Sequence, residues 1–441
     1  MSRILIKNGY LITMDPGRRQ YAGDLLIEDD RIAAIADRID ESADEVVDAT
    51  GGLVLPGFIQ SHIHLCQSLF RGQADDQSLL EWLNTVTGLE SRHTPESLYA
   101  SARLGIAEII KSGTTAIIDM GTVHHQDSVF NAMNESGIRG QSGKAMMDLT
   151  ENLPPALQET TEDSIRESVD LMHRWNGKAD GRIRYGFAPR WQLWCTEELL
   201  KEIKQESDRN NAGIHGHAGE IQYEVPAMLQ QRGRRNLKYL EHIGVVGPNV
   251  QMAHCIWLDD DEMTVLEETG THVMHCPCCN LKLSSGIARI PEMLARGISV
   301  AIGSDGAPSN NNLDMFIEMR VASLIHKYRL GAEALPAEDV LGMATNGGAA
   351  ALGLADTIGS LEVGKKADVI VLDDGGLVAA PIVDFEADDP VKRIVSSFSS
   401  TSVQTSVIDG RLVMKDRELL TMNEEEVVRD ARNALAAIRH E

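Results

Sequence analysis

The sequence predicts an α/β protein, a (β/α)8 TIM barrel with a small β-sandwich formed by the N- and C-terminal segments. Two observations carry this prediction. Through the middle of the chain, apolar strand-like runs alternate with longer helical stretches, which is typical of βα units on a parallel sheet. At both ends, short apolar strands alternate with turns instead. The 441 residues suffice for a large barrel and an appended smaller domain.

The candidate barrel strands are short apolar runs, as many as a (β/α)8 barrel requires. In chain order they cover residues 57–62, 114–119, 138–146, 182–188, 212–217, 249–255, 271–275 and 298–305. Helical stretches fall between most of them, for example at residues 95–111, 161–175, 196–210 and 259–268. The barrel is therefore expected to span residues 57–359.

The terminal regions share a second pattern, in which short strands follow one another without long helices between them. Early strands are predicted at residues 4–10, 25–28 and 32–36, and late ones at residues 367–372 and 405–413. Because the two regions look alike, we expect residues 1–56 and 360–441 to pair into one β-sandwich domain. Residues 424–439 are expected to form a C-terminal helix.

Charge and hydropathy narrow the expected partners. The chain has 41 basic and 66 acidic residues, a net charge of -25. Nucleic acids and anionic membranes attract basic surfaces, so we expect neither as a partner and favour a small neutral molecule. No apolar run reaches the roughly 18 residues of a membrane span, and the first residues lack the apolar core of a signal peptide. The six cysteines lack a second matching pair for a zinc knuckle, which favours reduced thiols in a cytoplasmic protein.

Four residues at the carboxyl ends of predicted strands form a candidate metal site. His62 and His64 end the first strand, and because side chains alternate along an extended backbone, both point to the same face. His217 ends the fifth strand, with His215 as a competing candidate, and Asp305 ends the eighth. Catalytic groups of such barrels gather at this end. Three imidazoles and one carboxylate that leave a position for water are typical of a catalytic metal site.

Two further residues are candidate catalytic groups. Glu220 lies three residues beyond His217, close enough to face a bound substrate and carry a proton to a ring nitrogen. His254 ends the predicted sixth strand and is expected at the same end of the barrel. A divalent ion beside them would lower the pKa of its water toward neutrality, which favours hydrolysis as the reaction.

With these motifs in this order, the sequence resembles the amidohydrolase superfamily over nearly its whole length. The resemblance rests on residues 55–58 (LPGF), 111–115 (KSGTT), 217–220 (HAGE), 253–254 (AH), 303–305 (GSD) and 359–368 (GSLEVGKKAD). It implies metal-dependent hydrolysis in a barrel that carries a β-sandwich built from both termini.

Within that superfamily the chain resembles the aminohydrolases that deaminate purines, pterins and triazines, which bind one metal ion. Binuclear relatives use a bridging carboxylated lysine, usually at the end of the fourth strand, and residues 182–190 contain no lysine. Lys144 on the third strand is the nearby substitute. The resemblance thus implies one Zn2+ per chain on the four candidate ligands, with Fe2+ as the alternative because nitrogen and oxygen ligands do not decide between them.

Several segments resemble guanine deaminase and supply four candidate substrate-binding residues. Gln67 offers both a donor and an acceptor to a purine edge, and Arg190 can donate to a ring carbonyl or a basic nitrogen. The aromatic face of Trp191, where that family usually has phenylalanine, can stack on a flat ring. Trp82 lies in a segment similar to that family's tryptophan-bearing loop, and a core position explains it equally well.

One loop departs from guanine deaminase. Residues 306–312, which follow Asp305, are more similar to the methylthioadenosine and S-adenosylhomocysteine deaminases and to the triazine hydrolases. Members that act on nucleosides carry an acidic residue two positions before the loop tryptophan, where this chain has Leu80. If the loop is aligned one residue differently, Glu81 takes the position of that acidic residue.

The sequence therefore predicts an aminohydrolase of the guanine deaminase type, which converts a ring C–NH2 to C=O and releases ammonia. Asp305 is expected to take a proton from the attacking water, Glu220 to protonate the adjacent ring nitrogen, and His254 to hydrogen-bond the developing oxyanion. The alternatives are a triazine hydrolase that displaces chloride or an alkylamine, a methylthioadenosine-type deaminase, and a non-catalytic binding protein. The resemblance also implies a homodimer or larger homo-oligomer.

Overall fold

Eight parallel strands form a nearly closed barrel in the computed structural model, which describes residues 2–149, 151 and 153–440. The barrel strands, first to eighth, are Phe58–Ile63, Thr114–Asp119, Arg139–Ser142, Ile183–Pro189, Gly213–Ala218, Val250–His254, His272–His275 and Val300–Ile302. Each pairs in parallel with the next along the chain, and a short strand, Ala145–Met146, pairs with the fourth. The predicted (β/α)8 fold is confirmed.

The first and eighth strands meet where the candidate metal ligands lie. The backbone N–H of Asp305, just after the eighth strand, donates to the carbonyl oxygen of His62 in the first strand at 3.0 Å. Gly303 permits this approach, because a Cβ there would lie 2.5 Å from the backbone nitrogen of His62. Closure of the barrel therefore brings together ligands that are far apart in the sequence.

Two barrel strands differ from their predicted extents by more than one residue at an end. The third is interrupted at Gly143, where a Cβ would lie 1.8 Å from the carbonyl oxygen of Gly186 on the neighbouring strand. The eighth covers only Val300–Ile302, because the chain then leaves the sheet and turns at Asp305, whose φ is +64°. Contact with the neighbouring strand thus interrupts the third strand, and the turn at Asp305 follows the short eighth strand.

Helices cover the outside of the barrel. Helices Pro95–Lys111 and Thr161–Trp175 have the predicted bounds, because the side chains of Thr94 and Thr160 cap their first turns. The other helices are Leu79–Glu90, Asp127–Ser136, Glu197–Asn210, Glu224–Arg232, Asn236–Ile243, Asp260–Thr269, Pro277–Lys282, Ile290–Ala295, Ala307–Asn310, Met315–Leu330, Ala337–Gly342, Gly348–Ala351, Gly376–Ala379, Phe385–Asp388, Pro390–Ser396 and Glu424–His440. Short 3-10 or π segments are Leu65–Phe70, Pro155–Leu157, Gln192–Trp194, Met343–Gly347 and Ser400–Ser402.

A second sheet is built from both ends of the chain, as predicted. Its strands in spatial order are Glu418–Leu419, Arg411–Lys415, Val403–Ile408, Val369–Leu372, Leu53–Pro56, Arg3–Ile12, Gln20–Glu28 and Arg31–Ala36, and Glu45–Asp48 pairs beside Arg3–Ile12. The run at residues 405–413 is not one strand but a hairpin, whose turn at Asp409 and Gly410 has φ values of +52° and +72°. The domain bounds, 1–56 with 360–441 and 57–359, stay a prediction.

Ion pairs attach the C-terminal region to the barrel. The C-terminal helix packs against Pro95–Lys111, where Lys111 bonds to Glu424. At the amino end of the barrel strands, the buried guanidinium of Arg139 lies 2.7 Å from the carboxylate of Asp368, which precedes the terminal-sheet strand Val369–Leu372. Among the helices in the described part of the chain, none is long and apolar enough to cross a membrane.

Candidate active site

The four candidate metal ligands converge at the carboxyl end of the barrel. Ring nitrogens of His62, His64 and His217 lie within 4.8 Å of one another. Oδ1 of Asp305 lies 3.4 Å from Nε2 of His62 and 3.3 Å from Nε2 of His64. A ring nitrogen of His254 also lies within 4.8 Å of His62 and Asp305. These groups could together hold a metal ion.

Hydrogen bonds on the far side of two rings fix their orientation. Nδ1–H of His64 donates to the carbonyl oxygen of Met120 at 2.9 Å, and Nδ1–H of His217 donates to that of Arg190 at 2.6 Å. A neutral imidazole with its proton on Nδ1 has a lone pair on Nε2. When both rings are neutral, both Nε2 atoms can therefore bind a cation, an arrangement that recurs behind metal-binding histidines.

His215 lies beside Nδ1 of His62, on the side of that ring opposite to Nε2. Nδ1 of His62 lies 2.7 Å from Nε2 of His215, within hydrogen-bonding distance. Nε2 of His62, on the opposite side of the ring, is buried and has no hydrogen-bond partner among the described residues. Burial lowers the pKa of His62 to about 4, so the ring is neutral at pH 7. A buried neutral nitrogen without a partner is costly unless a ligand satisfies it, so the donor set fits a divalent cation.

Lys144 is engaged in an ion pair of its own. Its ammonium is fully buried and lies 2.9 and 2.6 Å from the two carboxylate oxygens of Glu159. A bridging carboxylated lysine would have to give up this pair and carry its new group to the histidines. The structure therefore does not support Lys144 as a metal bridge.

Glu220 and His254 lie side by side at the edge of the ligand cluster. Oε1 of Glu220 is 3.7 Å from Nε2 of His254, whose Nδ1–H donates to Oδ1 of Asn280 at 2.9 Å. Burial, together with the charge of Asp305, raises the pKa of Glu220 to about 8. This carboxyl group is therefore protonated at pH 7 and can act as a proton donor.

His254 and Asp305 both have a left-handed backbone, with φ of +70° and +64°. This conformation is uncommon for residues other than glycine, and it costs on the order of 1–3 kcal/mol when the surroundings enforce it. It occurs here at two candidate catalytic residues, whose side chains it directs toward His62. Such strain is characteristic of functional sites.

A cavity adjoins the ligand cluster. Its polar floor is formed by His64, His217, Glu220, His254 and Asp305. Its walls are formed by Leu79, Trp82, Leu83, Arg190, Trp191 and Trp194. Aromatic walls over a polar floor suit a flat heterocycle whose reacting carbon faces the catalytic groups.

Three of the four predicted substrate-binding residues, Trp82, Arg190 and Trp191, line this cavity. The indole N–H of Trp82 has no hydrogen-bond partner among the described residues and is available as a donor. Gln67 lies elsewhere: it is fully buried, and its Nε2 donates to Glu90 at 2.7 Å. The expected contact between Gln67 and a ring edge is therefore not supported, because the amide lies behind the wall.

Two carboxylates that the sequence analysis missed hold the cavity walls in place. Glu90 accepts hydrogen bonds from the guanidinium of Arg190 at 2.6 and 3.0 Å. Glu224 accepts from the indole of Trp191 at 2.8 Å and from the backbone N–H of Glu220 at 2.7 Å. The spacing of four residues between Glu220 and Glu224 is the sequence feature that could have indicated a role for Glu224. For Glu90, near the end of a helix, the sequence offers no signal that distinguishes it from a solvated carboxylate.

The sequence model of the family described as the Amidohydrolase family matches residues 53–413, which include every candidate site residue. A 5'-deoxyadenosine deaminase of Methanobrevibacter smithii is 40% identical over 439 residues, 99% of this chain and 98% of that protein. A 5-methylthioadenosine/S-adenosylhomocysteine deaminase of Syntrophobacter fumaroxidans is 39% identical over 443 residues, again 99% and 98%.

A solved structure resembles the whole fold. An adenosine deaminase from Xanthomonas campestris with bound zinc matches with a TM-score of 0.93 and 28% identity, over 100% of this chain and 99% of that chain. The similarity therefore extends over both the barrel and the terminal sheet.

Proposed function

This chain belongs to the amidohydrolase family, and we propose that it hydrolyses the 6-amino group of an adenine nucleoside, giving a 6-oxopurine and ammonia. Its deaminase relatives make it a hydrolase of C–N bonds in cyclic amidines. One observation carries the finer proposal. Glu220, whose pKa burial raises to about 8, lines an aromatic cavity beside an open cluster of three histidines and Asp305.

Each residue at the floor of the cavity has a task in this reaction. A divalent cation, Zn2+ at one per chain in our proposal, would activate water when bound by the ligand cluster. Asp305 accepts a proton from the attacking water while Glu220 donates one to the ring nitrogen next to the reacting carbon. His254, held by Asn280, hydrogen-bonds the oxygen that adds to the ring. The proton on Asp305 then passes to the amino group, the C–N bond breaks and ammonia leaves. The proton of the added hydroxyl returns to Glu220 as the C=O bond forms, which restores the acid.

An outer groove favours a nucleoside over guanine, the base expected from the sequence. Leu83 and Trp194 line both the cavity and this groove, so the two spaces adjoin. Further out, the groove is lined by Leu80, Leu149 and Tyr223 among others. A sugar attached to the ring needs such space, whereas a free base would leave it empty. The relatives named for deoxyadenosine and methylthioadenosine support the same choice.

Recognition of the sugar differs from the pattern of nucleoside-type members. Leu80 is exposed and has no carboxylate, and Glu81 caps its own helix by accepting from the backbone and hydroxyl of Ser78 at 3.1 and 2.8 Å. Glu151 is the acidic residue in the described lining of the outer groove. We propose that Glu151 accepts hydrogen bonds from the sugar hydroxyls.

The outer groove also favours a neutral 5' substituent. Its described lining includes leucines, Trp194 and Tyr223 but no basic residue. A carboxylate-bearing substituent, as in S-adenosylhomocysteine, would lie near the carboxylate of Glu151 and find no basic counterion. A 5'-deoxy or methylthio group carries no charge that needs a counterion, and it gains apolar contacts.

Ammonia release tests this proposal. The metal-loaded protein is assayed with 5'-deoxyadenosine, methylthioadenosine, S-adenosylhomocysteine, adenosine, guanine and a chlorotriazine. We expect kcat/KM for the first two compounds to exceed that for S-adenosylhomocysteine and guanine by about tenfold or more. Guanine as the best substrate, or chloride release without ammonia, would contradict the proposal. Two metal ions per chain by elemental analysis would contradict the single site.

A further inference from the structure

The ion pair between Glu90 and Arg190 lies in the wall of the cavity, and the reaction proposed above does not use it. Both side chains are buried, at 0% and 5% exposed. NH1 of Arg190 donates to one carboxylate oxygen of Glu90 at 2.6 Å and NH2 to the other at 3.0 Å, a two-point pairing of planar groups. The side chain of Arg190 also lines the cavity, so one face of the pair meets the ligand.

We propose that Glu90 is a positioning and selectivity residue, which cancels the charge of Arg190 so that the cavity accepts a neutral ring edge and discriminates against anionic rings. A guanidinium has five N–H groups, and the pairing with Glu90 engages both terminal nitrogens but not every N–H. The remaining N–H groups can donate to ring acceptors in a direction that Glu90 fixes. The identity of the ring rests on the proposed function, whereas the charge balance rests on the pair itself.

Because Arg190 is buried, removal of the negative charge of Glu90 should have a large electrostatic effect on ligand binding. Without its partner, the guanidinium of Arg190, which is 5% exposed, would attract an anion strongly, because little solvent screens it. Paired with Glu90, Arg190 supplies hydrogen-bond donors with little net charge. Loss of Glu90 should therefore change which ligands bind, and a role confined to stability would not have that effect.

Glu90 also connects the wall with the turn that follows Asp305. It accepts from Nε2 of Gln67 at 2.7 Å, which leaves Oε1 of Gln67 buried and without a hydrogen-bond partner among the described residues. That oxygen lies against Gly306, where a Cβ would be only 1.9 Å away. The carboxylate of Glu90 thus fixes both the guanidinium of Arg190 and the side-chain amide of Gln67. This second contact explains why Gln67 lies behind the cavity wall.

The test compares binding of two ligands that differ in charge. Inosine has a neutral ring, and the ring of xanthosine is an anion at about pH 8. Isothermal titration calorimetry on the metal-loaded protein measures both. We expect the wild type to prefer inosine, and Glu90→Gln to bind inosine more weakly and to shift the preference toward xanthosine by about tenfold. Arg190→Gln, which leaves a carboxylate unpaired, should shift the preference in the opposite direction.

A matched control separates this effect from a loss of stability. Asp368→Asn breaks another buried two-point pair, with Arg139, in which both side chains are 3% exposed. That pair lies at the amino end of the barrel strands, so the variant should keep the wild-type preference. If Glu90→Gln does not fold, Arg190→Gln and the double variant Glu90→Gln/Arg190→Gln carry the test, and the double variant should show no shift toward xanthosine.

The inference would be overturned if Glu90→Gln kept the wild-type preference, or if Asp368→Asn showed the same shift as Glu90→Gln. It would also be overturned if Glu90→Gln and Arg190→Gln shifted the preference in the same direction, or if the wild type bound neither nucleoside. A wild type that binds inosine but releases no ammonia from any adenine nucleoside would contradict the proposed function and leave this inference standing.

Discussion

The indole N–H of Trp191 donates to the buried carboxylate of Glu224 at 2.8 Å. The same carboxylate accepts from the backbone N–H of Glu220 at 2.7 Å and from the amide of Asn236. One side chain therefore sets the position of a cavity wall and of the proposed proton donor relative to each other. In the proposed reaction, Glu224 would therefore couple the stacking of the ring on Trp191 to proton transfer from Glu220.

Replacement of Glu224 by Gln should impair both functions. The amide nitrogen of Gln cannot accept a hydrogen bond, so either Trp191 or the backbone of Glu220 loses its partner. We expect a decrease in kcat/KM of about 10- to 100-fold with contributions from both kcat and KM. Glu262→Gln is the control, because Glu262 is also buried and accepts from a backbone N–H, that of Leu237, away from the cavity. Wild-type kinetics in Glu224→Gln would contradict the coupling.

His215 should control metal affinity without binding the metal. His215→Phe keeps a ring of similar size but removes the nitrogen 2.7 Å from Nδ1 of His62. Loss of such a supporting bond commonly lowers metal affinity by about 10- to 100-fold. Competition with a chromophoric chelator measures zinc affinity, and His272→Phe is the control, since His272 bonds to Ser299 and Pro248 away from the site. Equal zinc affinities in the two variants would refute the role of His215.

Local patterns were enough to predict much of the fold. The helices at residues 95–111 and 161–175 were predicted as helical stretches between apolar strands, and they lie within the predicted bounds. The pair His62 and His64 follows from the alternation of side chains along a strand. These features depend on residues close in sequence, so a single chain reveals them.

The supporting roles in the site could not be predicted in the same way. His215 and His217 share one face of a strand, and only their different depths in the barrel make one a ligand candidate and the other a support. Glu90 and Arg190 are 100 residues apart, and no spacing rule connects them. Gln67 was predicted in the cavity because its side-chain amide can pair with a purine edge. The same amide can also donate to a carboxylate, and in the structure it donates to Glu90.

The role of Glu220 as proton donor predicts a large loss of rate on substitution. Glu220→Gln cannot transfer the proton but keeps nearly the same shape. General acid catalysis contributes about 100- to 10,000-fold, so kcat should fall by a factor in that range. Zinc content and inosine binding should remain close to wild type, since Glu220 is outside the proposed ligand set. A variant with near-normal kcat would refute the role, and one that lost its zinc would show that Glu220 acts on the metal site instead.

The raised pKa of Glu220 also predicts how stability depends on pH in the metal-free protein. The folded protein holds this proton up to a pKa of about 8, whereas the unfolded chain releases it near the ordinary value of 4.5. Between these values the folded state binds more protons, so its stability falls as pH rises and the loss is complete above pH 8. Glu220→Gln removes this term. The melting temperature of Glu220→Gln should therefore exceed that of the wild type by an amount that grows from about pH 5 to 8 and then levels off. The control is Glu162→Gln, on an exposed helix face, which should show no such trend. A constant difference across this range of pH, measured by thermal unfolding in chelator, would mean that Glu220 is not a buried, protonated carboxyl group.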